Sequence, residues 1–135
     1  AGVGGMAAAI ALHIRQQWDT QPQIIVVEPD AAPCLFESNK RGELTSVKGP
    51  VSSMGRLDCK EPSLLAFSAL QEYADKFVCI SESDAAAAVT YLDERGITTT
   101  PSGAAGVAAI LLAKQLGIPL SDESTCLAIA TEGRG

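Results

Sequence analysis

The chain opens Ala1-Gly2-Val3-Gly4-Gly5-Met6, residues with the types and spacing of an anion site. Glycines at positions 2, 4 and 5 let the backbone turn tightly and leave its N–H groups unshielded by Cβ atoms. The alanine-rich stretch that follows reads as a helix, whose positive end adds to the pull of those amides on a phosphate. The same residues fit G-x-G-x-x-A through Gly2, Gly4 and Ala7, and the run QIIVVEP sets Glu28 about where a dinucleotide fold places its ribose-binding acid. Two cofactor readings therefore stand, a phosphate cradle and a nicotinamide-binding Rossmann turn. A phosphate loop of this type follows a strand, so the reading expects a strand, and whatever leads into it, outside these 135 residues. A bulky residue at Gly4 is expected to lower anion affinity and leave the fold largely intact.

Other candidates for chemistry are few. His13 has no carboxylate or cysteine at ligand spacing and reads as a packing or surface residue. Lys40, Lys48, Lys60, Lys76 and Lys114 read as solvated surface, as do the acidic runs SDES and LDER at helix ends. Asp58, Cys59 and Glu61 lie in an irregular stretch with Gly49, Pro50, Gly55 and Pro62, which either lines a substrate pocket or simply connects. Cys34, Cys59, Cys79 and Cys126 form no C-x-x-C pair, and Cys79 and Cys126 fall inside apolar strand-like runs. They are expected to be buried, reduced thiols of a cytoplasmic protein.

The elements that position these residues follow from composition and period. With 135 residues, 47% hydrophobic and 4% aromatic, the chain supports one core built from small and aliphatic side chains. A net charge of −6 disfavours nucleic acid, and every apolar run is broken before it could span a membrane. The first helix, starting near Gly5, sets Met6, Ile10, Ile14 and Trp18 on one face. A strand over Ile24–Glu28, a short helix ended by Gly42, and helices starting near Ser63 and Asp84 around a strand Phe77–Ile80 come next. A small-residue helix entered through Pro101 and Gly103 precedes a last apolar strand, Cys126–Ala130. This alternation predicts a single α/β unit over 1–135, three-layered, with the three strands as parallel neighbours in a mainly parallel sheet flanked by helices. The alanine stripes read as close helix–sheet packing, and only the Ser102-Gly103-Ala104 helix start carries a functional claim.

Five segments in order, AGVGGMAAAI, IIVVEPDAAPCLFES, SSMGRLDCKEPSLLAFSAL, TPSGAAGVAAILLA and LAIATEGRG, make the chain resemble the C-terminal part of fold-type II pyridoxal-phosphate enzymes. Within that group the likeness is nearest to the diaminopropionate ammonia-lyases, which share an Ala-Gly-Val-Gly-small-Met-Ala loop, a Val-Glu-Pro-Asp strand end, a Gly-Glu-Pro segment, a Ser-Gly-Ala helix start and a Thr-Glu-Gly turn. Threonine dehydratases and threonine synthases share the glycine loop and a similar helix start. The Thr-Glu-Gly turn and the CKEPS segment favour the ammonia-lyases.

The resemblance implies that the cofactor, pyridoxal 5'-phosphate, is held by the amides of Gly2, Val3, Gly4, Gly5 and Met6. It implies a Ser or Thr hydroxyl on the C-terminal strand for the pyridine nitrogen; Ala130 stands where the family often has Ser, and the nearby hydroxyl is that of Thr131. The implied reaction is α,β-elimination from 2,3-diaminopropionate or a related amino acid, giving a keto acid and ammonia. The Schiff-base lysine and the base lie ahead of the glycine loop in such enzymes. No catalytic residue is therefore expected in this chain, nor activity from it alone, and the full-length enzyme is expected to be a homodimer. The alternatives are a threonine/serine dehydratase or threonine synthase-like enzyme, a NAD-binding Rossmann domain built on Gly2, Gly4, Ala7 and Glu28, and a non-catalytic α/β module. Pro29 directly after Glu28 counts against the dinucleotide reading.

Overall fold

The computed structural model describes residues 1–133. Five helices and two strands follow one another as α1 (Gly5–Gln17), β1 (Ile25–Pro29), α2 (Cys34–Arg41), α3 (Leu64–Tyr73), β2 (Lys76–Ile80), α4 (Glu82–Asp93) and α5 (Pro101–Leu111). β1 and β2 are parallel, with Val26 opposite Phe77 and Val27 opposite Val78. The crossover between them carries α2, a long loop and α3.

Because side chains alternate along a strand, the two strands feed two cores. Val26 and Phe77 pack with Ala8, Ala11, Leu35, Ala66 and Leu70, under α1, α2 and α3. Ile80 joins Ala85, Ala88, Leu92, Ala104 and Ala108 on the opposite side, under α4 and α5, while Val78 meets Ala109 and Ala113. The result is the expected arrangement of helices on both faces of a parallel sheet.

Three expectations are corrected. Cys126–Ala130 forms no strand: the segment passes α5, with Ala128 against Gly106, and no described strand offers it a ladder. Cys126 is accordingly exposed, along with Leu127 and Ile129. On α1 the buried face is Ala8, Ala11 and Ile14, whereas Met6 and Trp18 are exposed. Small residues win that face because α1 lies close against α3, where Ala66 and Leu70 leave no room for larger ones.

Four of the five helix N-termini receive carboxylate or hydroxyl oxygens from the protein. Ser63 caps α3, Ser81 and Asp84 form a reciprocal capping box on α4, and Thr100 caps α5. At α2 the acceptor is remote in sequence: Glu28 receives the amides of Leu35 at 2.9 Å and Phe36 at 2.6 Å. α1 alone starts on a residue without a side chain, Gly4, and has no side-chain cap.

Candidate functional site

The glycine turn leaves from the free edge of β1, where the Ala1 nitrogen donates to the Val27 carbonyl. Two of its three glycines are required by the fold, and the third is not. Gly2 is required by close approach: a Cβ would stand 2.9 Å from both the Arg56 carbonyl oxygen and Cys59 Sγ. Gly4 has φ 103°, a left-handed conformation costly for any other residue, and a Cβ there would press on Ala66 and Leu35 at 3.1 Å and Leu70 at 3.3 Å. Gly5 has nothing within 4 Å of its Cβ position. Gly4 is thus part of the core, which overturns the expectation that a bulky residue there would spare the fold.

What the turn presents to its surroundings is a row of donors. The first intrahelical bond of α1 runs from Ala8 N to the Gly4 carbonyl at 2.8 Å, so the amides of Gly5, Met6 and Ala7 precede the helix ladder. Val3 and Met6 are exposed, and the Val3 carbonyl is occupied by the Ser63 amide at 3.0 Å. The chemistry available here is an apolar-rimmed set of backbone N–H groups at a positive helix end, which suits a compact anion.

Arg56, which no sequence pattern singled out, ties this turn to the other segments of interest. Its carbonyl backs Gly2, its amide donates to Ser102 Oγ at 3.1 Å, and its Nε lies 3.6 Å from Glu132 Oε2. Glu132 in turn accepts Thr99 Oγ1 on its carbonyl at 2.6 Å and Thr100 Oγ1 on its carboxylate. The Thr-Glu-Gly turn therefore docks on the N-terminus of α5, over Gly103, whose Cβ would stand 3.2 Å from the Glu132 carbonyl. Thr131 sits on this turn with its side chain exposed.

The remaining candidates fall outside this grouping. Glu28 is fully buried, its carboxylate spent on the α2 amides and within 3.6 Å of Cys34 Sγ. Burial raises its pKa above the ordinary value, against the pull of those amides. A carboxylate so enclosed has no free oxygen for a ribose, which removes the main support of the dinucleotide reading. Burial, together with the neighbouring Glu28 charge, also pushes the thiols of Cys34 and Cys79 up to about 12. Asp58 is used within its own loop by Lys60 Nζ and the Ser52 amide, the former hydrogen bond holding its carboxyl below the ordinary value. Lys60 and Lys76 depart from the expected free solvation: Lys76 Nζ donates to the Gly117 carbonyl at 2.9 Å, and Lys60 meets three oxygens. His13 and Glu61 are exposed, and no described helix is long and apolar enough to cross a membrane.

The family model described as "Pyridoxal-phosphate dependent enzyme" matches residues 1–132. Diaminopropionate ammonia-lyase of Escherichia coli (strain K12) is 29% identical over 98% of this chain and 37% of its own length. L-threonine ammonia-lyase of Thermotoga maritima is 28% identical over 82% of this chain and 27% of its own. Among solved structures, diaminopropionate ammonia lyase from Escherichia coli in complex with an aminoacrylate-PLP azomethine reaction intermediate superposes with a TM-score of 0.82, at 28% identity, covering 98% of this chain and 37% of that one. The chain thus spans 37% of the length of the diaminopropionate ammonia-lyase it matches.

Proposed function

Since the chain belongs to the pyridoxal-phosphate-dependent enzyme family, we propose that its glycine turn seats the phosphate of pyridoxal 5'-phosphate, and that the chain is the C-terminal part of a larger cofactor-binding domain. The observation that carries this reading is the bare N-terminus of α1, with Gly4 at φ 103° and open space at Gly5. The residues present fit the group: the donors are backbone amides of Gly2, Val3, Gly4, Gly5 and Met6, which meet a dianion with charge-assisted hydrogen bonds and carry no protons that titrate near neutrality. Val3 and Met6 flank the phosphate with apolar surface. Gly4 fixes the direction of the amides because its backbone is wedged between α2 and α3.

When bound, pyridoxal phosphate supplies the electron sink that lets an amino acid lose its Cα proton and then a β-substituent. The activity we assign to the complete protein is an ammonia-lyase reaction of this kind on 2,3-diaminopropionate or a related amino acid, in a cytoplasmic homodimer. The lysine and the base come from outside these residues. The part of the present chain is to bind and orient: the glycine turn would anchor one end of the cofactor, and Thr131 would offer its hydroxyl to the pyridine nitrogen from the turn that Thr99 and Thr100 hold in place through Glu132. The match to a threonine ammonia-lyase favours a second reading, deamination of threonine or serine by the same arrangement.

The deciding experiment compares these 135 residues with the full-length protein containing them, on 2,3-diaminopropionate, serine and threonine, following keto acid and ammonia. Turnover by the full-length protein alone, fastest on diaminopropionate, is the expected result. Preference for threonine or serine would transfer the assignment to the second reading, and turnover by the short chain would overturn the division of labour.

A further inference from the structure

The long loop between α2 and α3 is pinned at Ser52 and Ser53 by the Glu82 carboxylate, and its two arms are drawn together by Lys60. Lys60 Nζ donates to the Ala31 carbonyl at 2.8 Å, the Pro50 carbonyl at 2.8 Å and Asp58 Oδ1 at 2.5 Å. All three ammonium donors are thereby used, on oxygens from the β1–α2 turn, the middle of the loop and its returning arm. The Asp58 carboxylate is itself anchored by the Ser52 amide at 3.2 Å, and the Val47 amide donates to the Lys60 carbonyl at 2.8 Å. A Cβ at Gly49 would collide with the same Ala31 carbonyl oxygen, so the loop passes close beside it there. Two carbonyl dipoles and one carboxylate around a compact positive charge form the coordination that an alkali or ammonium ion would find.

We propose that Lys60 is a tethered monovalent cation, and that the oxygens of Ala31, Pro50 and Asp58 form a cage which binds free ammonium or potassium once the side chain is removed. The cage has a position with consequences. The residues it clamps run directly into Arg56, Leu57 and Cys59, whose atoms back Gly2 of the glycine turn. Lys60 is accordingly a positioning residue for that turn: with the charge gone, two carbonyls and the Asp58 oxygen it held lose their donor while Asp58 keeps only the Ser52 amide, the loop relaxes, and the wall behind Gly2 moves. The effect on cofactor affinity rests on the phosphate reading above, while the cage itself does not.

The test uses the full-length protein containing these residues, as wild type, Lys60→Ala and Lys60→Met. Thermal melting of the cofactor-free proteins is followed in chlorides of ammonium, potassium and tetramethylammonium at equal ionic strength, and cofactor affinity is titrated by absorbance under the same conditions. Lys60→Ala is expected to melt below wild type and to recover saturably with ammonium or potassium, but not with tetramethylammonium, which is too large for the cage. Lys60→Met fills the space without charge and is expected to show the loss without the recovery. Cofactor affinity of Lys60→Ala is expected to fall by about tenfold and to return with the same cations. Equal response to all three salts or equal response of wild type overturns the cage, and unchanged cofactor affinity overturns the role of Lys60 in positioning the glycine turn. So does a Lys60→Ala protein that fails to fold even when refolded in ammonium chloride. Cation-specific recovery of melting in a protein whose wild type binds no pyridoxal phosphate would leave the cage standing and sink the cofactor reading instead.

Discussion

Replacing Gly4 and Gly5 by alanine, one at a time, separates what the glycine turn does for the fold from what it does for a ligand. At Gly4 two costs add. The backbone is at φ 103°, and placing an L side chain in left-handed conformation costs about 1–2 kcal/mol. The new methyl would also stand 3.1 Å from Ala66 Cβ and Leu35 Cδ1 and 3.3 Å from Leu70 Cδ1. Two of those three neighbours, Leu35 and Leu70, are fully buried, so they cannot swing away, and overpacking of such a site costs about 1–3 kcal/mol. Gly4→Ala should therefore lose about 2–5 kcal/mol of stability.

At Gly5 neither cost arises. Its Cβ would meet nothing within 4 Å, and alanine in the first turn of a helix gains at most about 1 kcal/mol over glycine. Helical Cβ atoms lean toward the N-terminus, so this methyl enters the space in front of the Gly5 and Met6 amides. Gly5→Ala should thus keep or raise stability while weakening phosphate and cofactor binding. Urea unfolding of both variants in the full-length protein, with a parallel titration of pyridoxal phosphate, reads the two quantities separately. A Gly4→Ala protein within about 0.5 kcal/mol of wild type would refute the packing argument, because surface substitutions alone reach that level. Undiminished cofactor affinity in Gly5→Ala would refute the placement of the anion.

Two further outcomes follow from the buried groups beneath the turn. Burial raises the Glu28 pKa, so the stability this group contributes is fully present below the ordinary carboxyl value of 4.5 and is lost as pH rises through the higher folded value. Glu28→Gln, which keeps an acceptor for one of the two α2 amides, should therefore gain on wild type as pH rises above the ordinary carboxyl range; parallel urea midpoints for the two proteins across that interval would contradict the sign. Alkylation by iodoacetamide near pH 8 should label exposed Cys126 well before Cys34 and Cys79, whose thiols are pushed up to about 12; mass mapping that finds Cys34 modified first would contradict its enclosure behind Gly2 and Glu28.

Much of the frame was legible because it rests on local rules. Gly42 ends α2 with φ 74°, Ser63 caps α3, and Ser81 with Asp84 starts α4, each recognisable within four residues of sequence. The reason for Gly4 was half legible: its type announced a special backbone, but the three side chains that crowd it come from α2 and α3, far along the chain. The capping role of Glu28 is not legible for a related reason. Capping rules look at the residue just before a helix, and α2 begins after Pro33, which has nothing to give; the acceptor reaches in from the end of β1 instead. Arg56 and Lys60 lie in a segment that carries the family resemblance, but nothing in it singled them out, since each matters through backbone oxygens and amides that sequence does not display.

The segment Cys126–Ala130 shows the same division from the other side. Its residues have the composition of a buried strand, yet a strand is a relation between two backbones, and strand propensity expresses fit to a pleated surface that must already exist. β1 and β2 pair only with each other among the described residues, and the Val27 carbonyl on the free edge of β1 is taken by the start of the glycine turn. Besides the Arg56–Glu132 ion pair, the C-terminal segment is fixed at two points, Ala128 against Gly106 and Glu132 on Thr99 and Thr100 at the cap of α5. Both contacts are to α5, the element whose Gly103 and Gly106 lack the side chains that would hold the segment off. The small residues of α5 thus act at a distance on the proposed site: they let the Thr-Glu-Gly turn come down to the Thr100 cap, and it is that turn which presents Thr131.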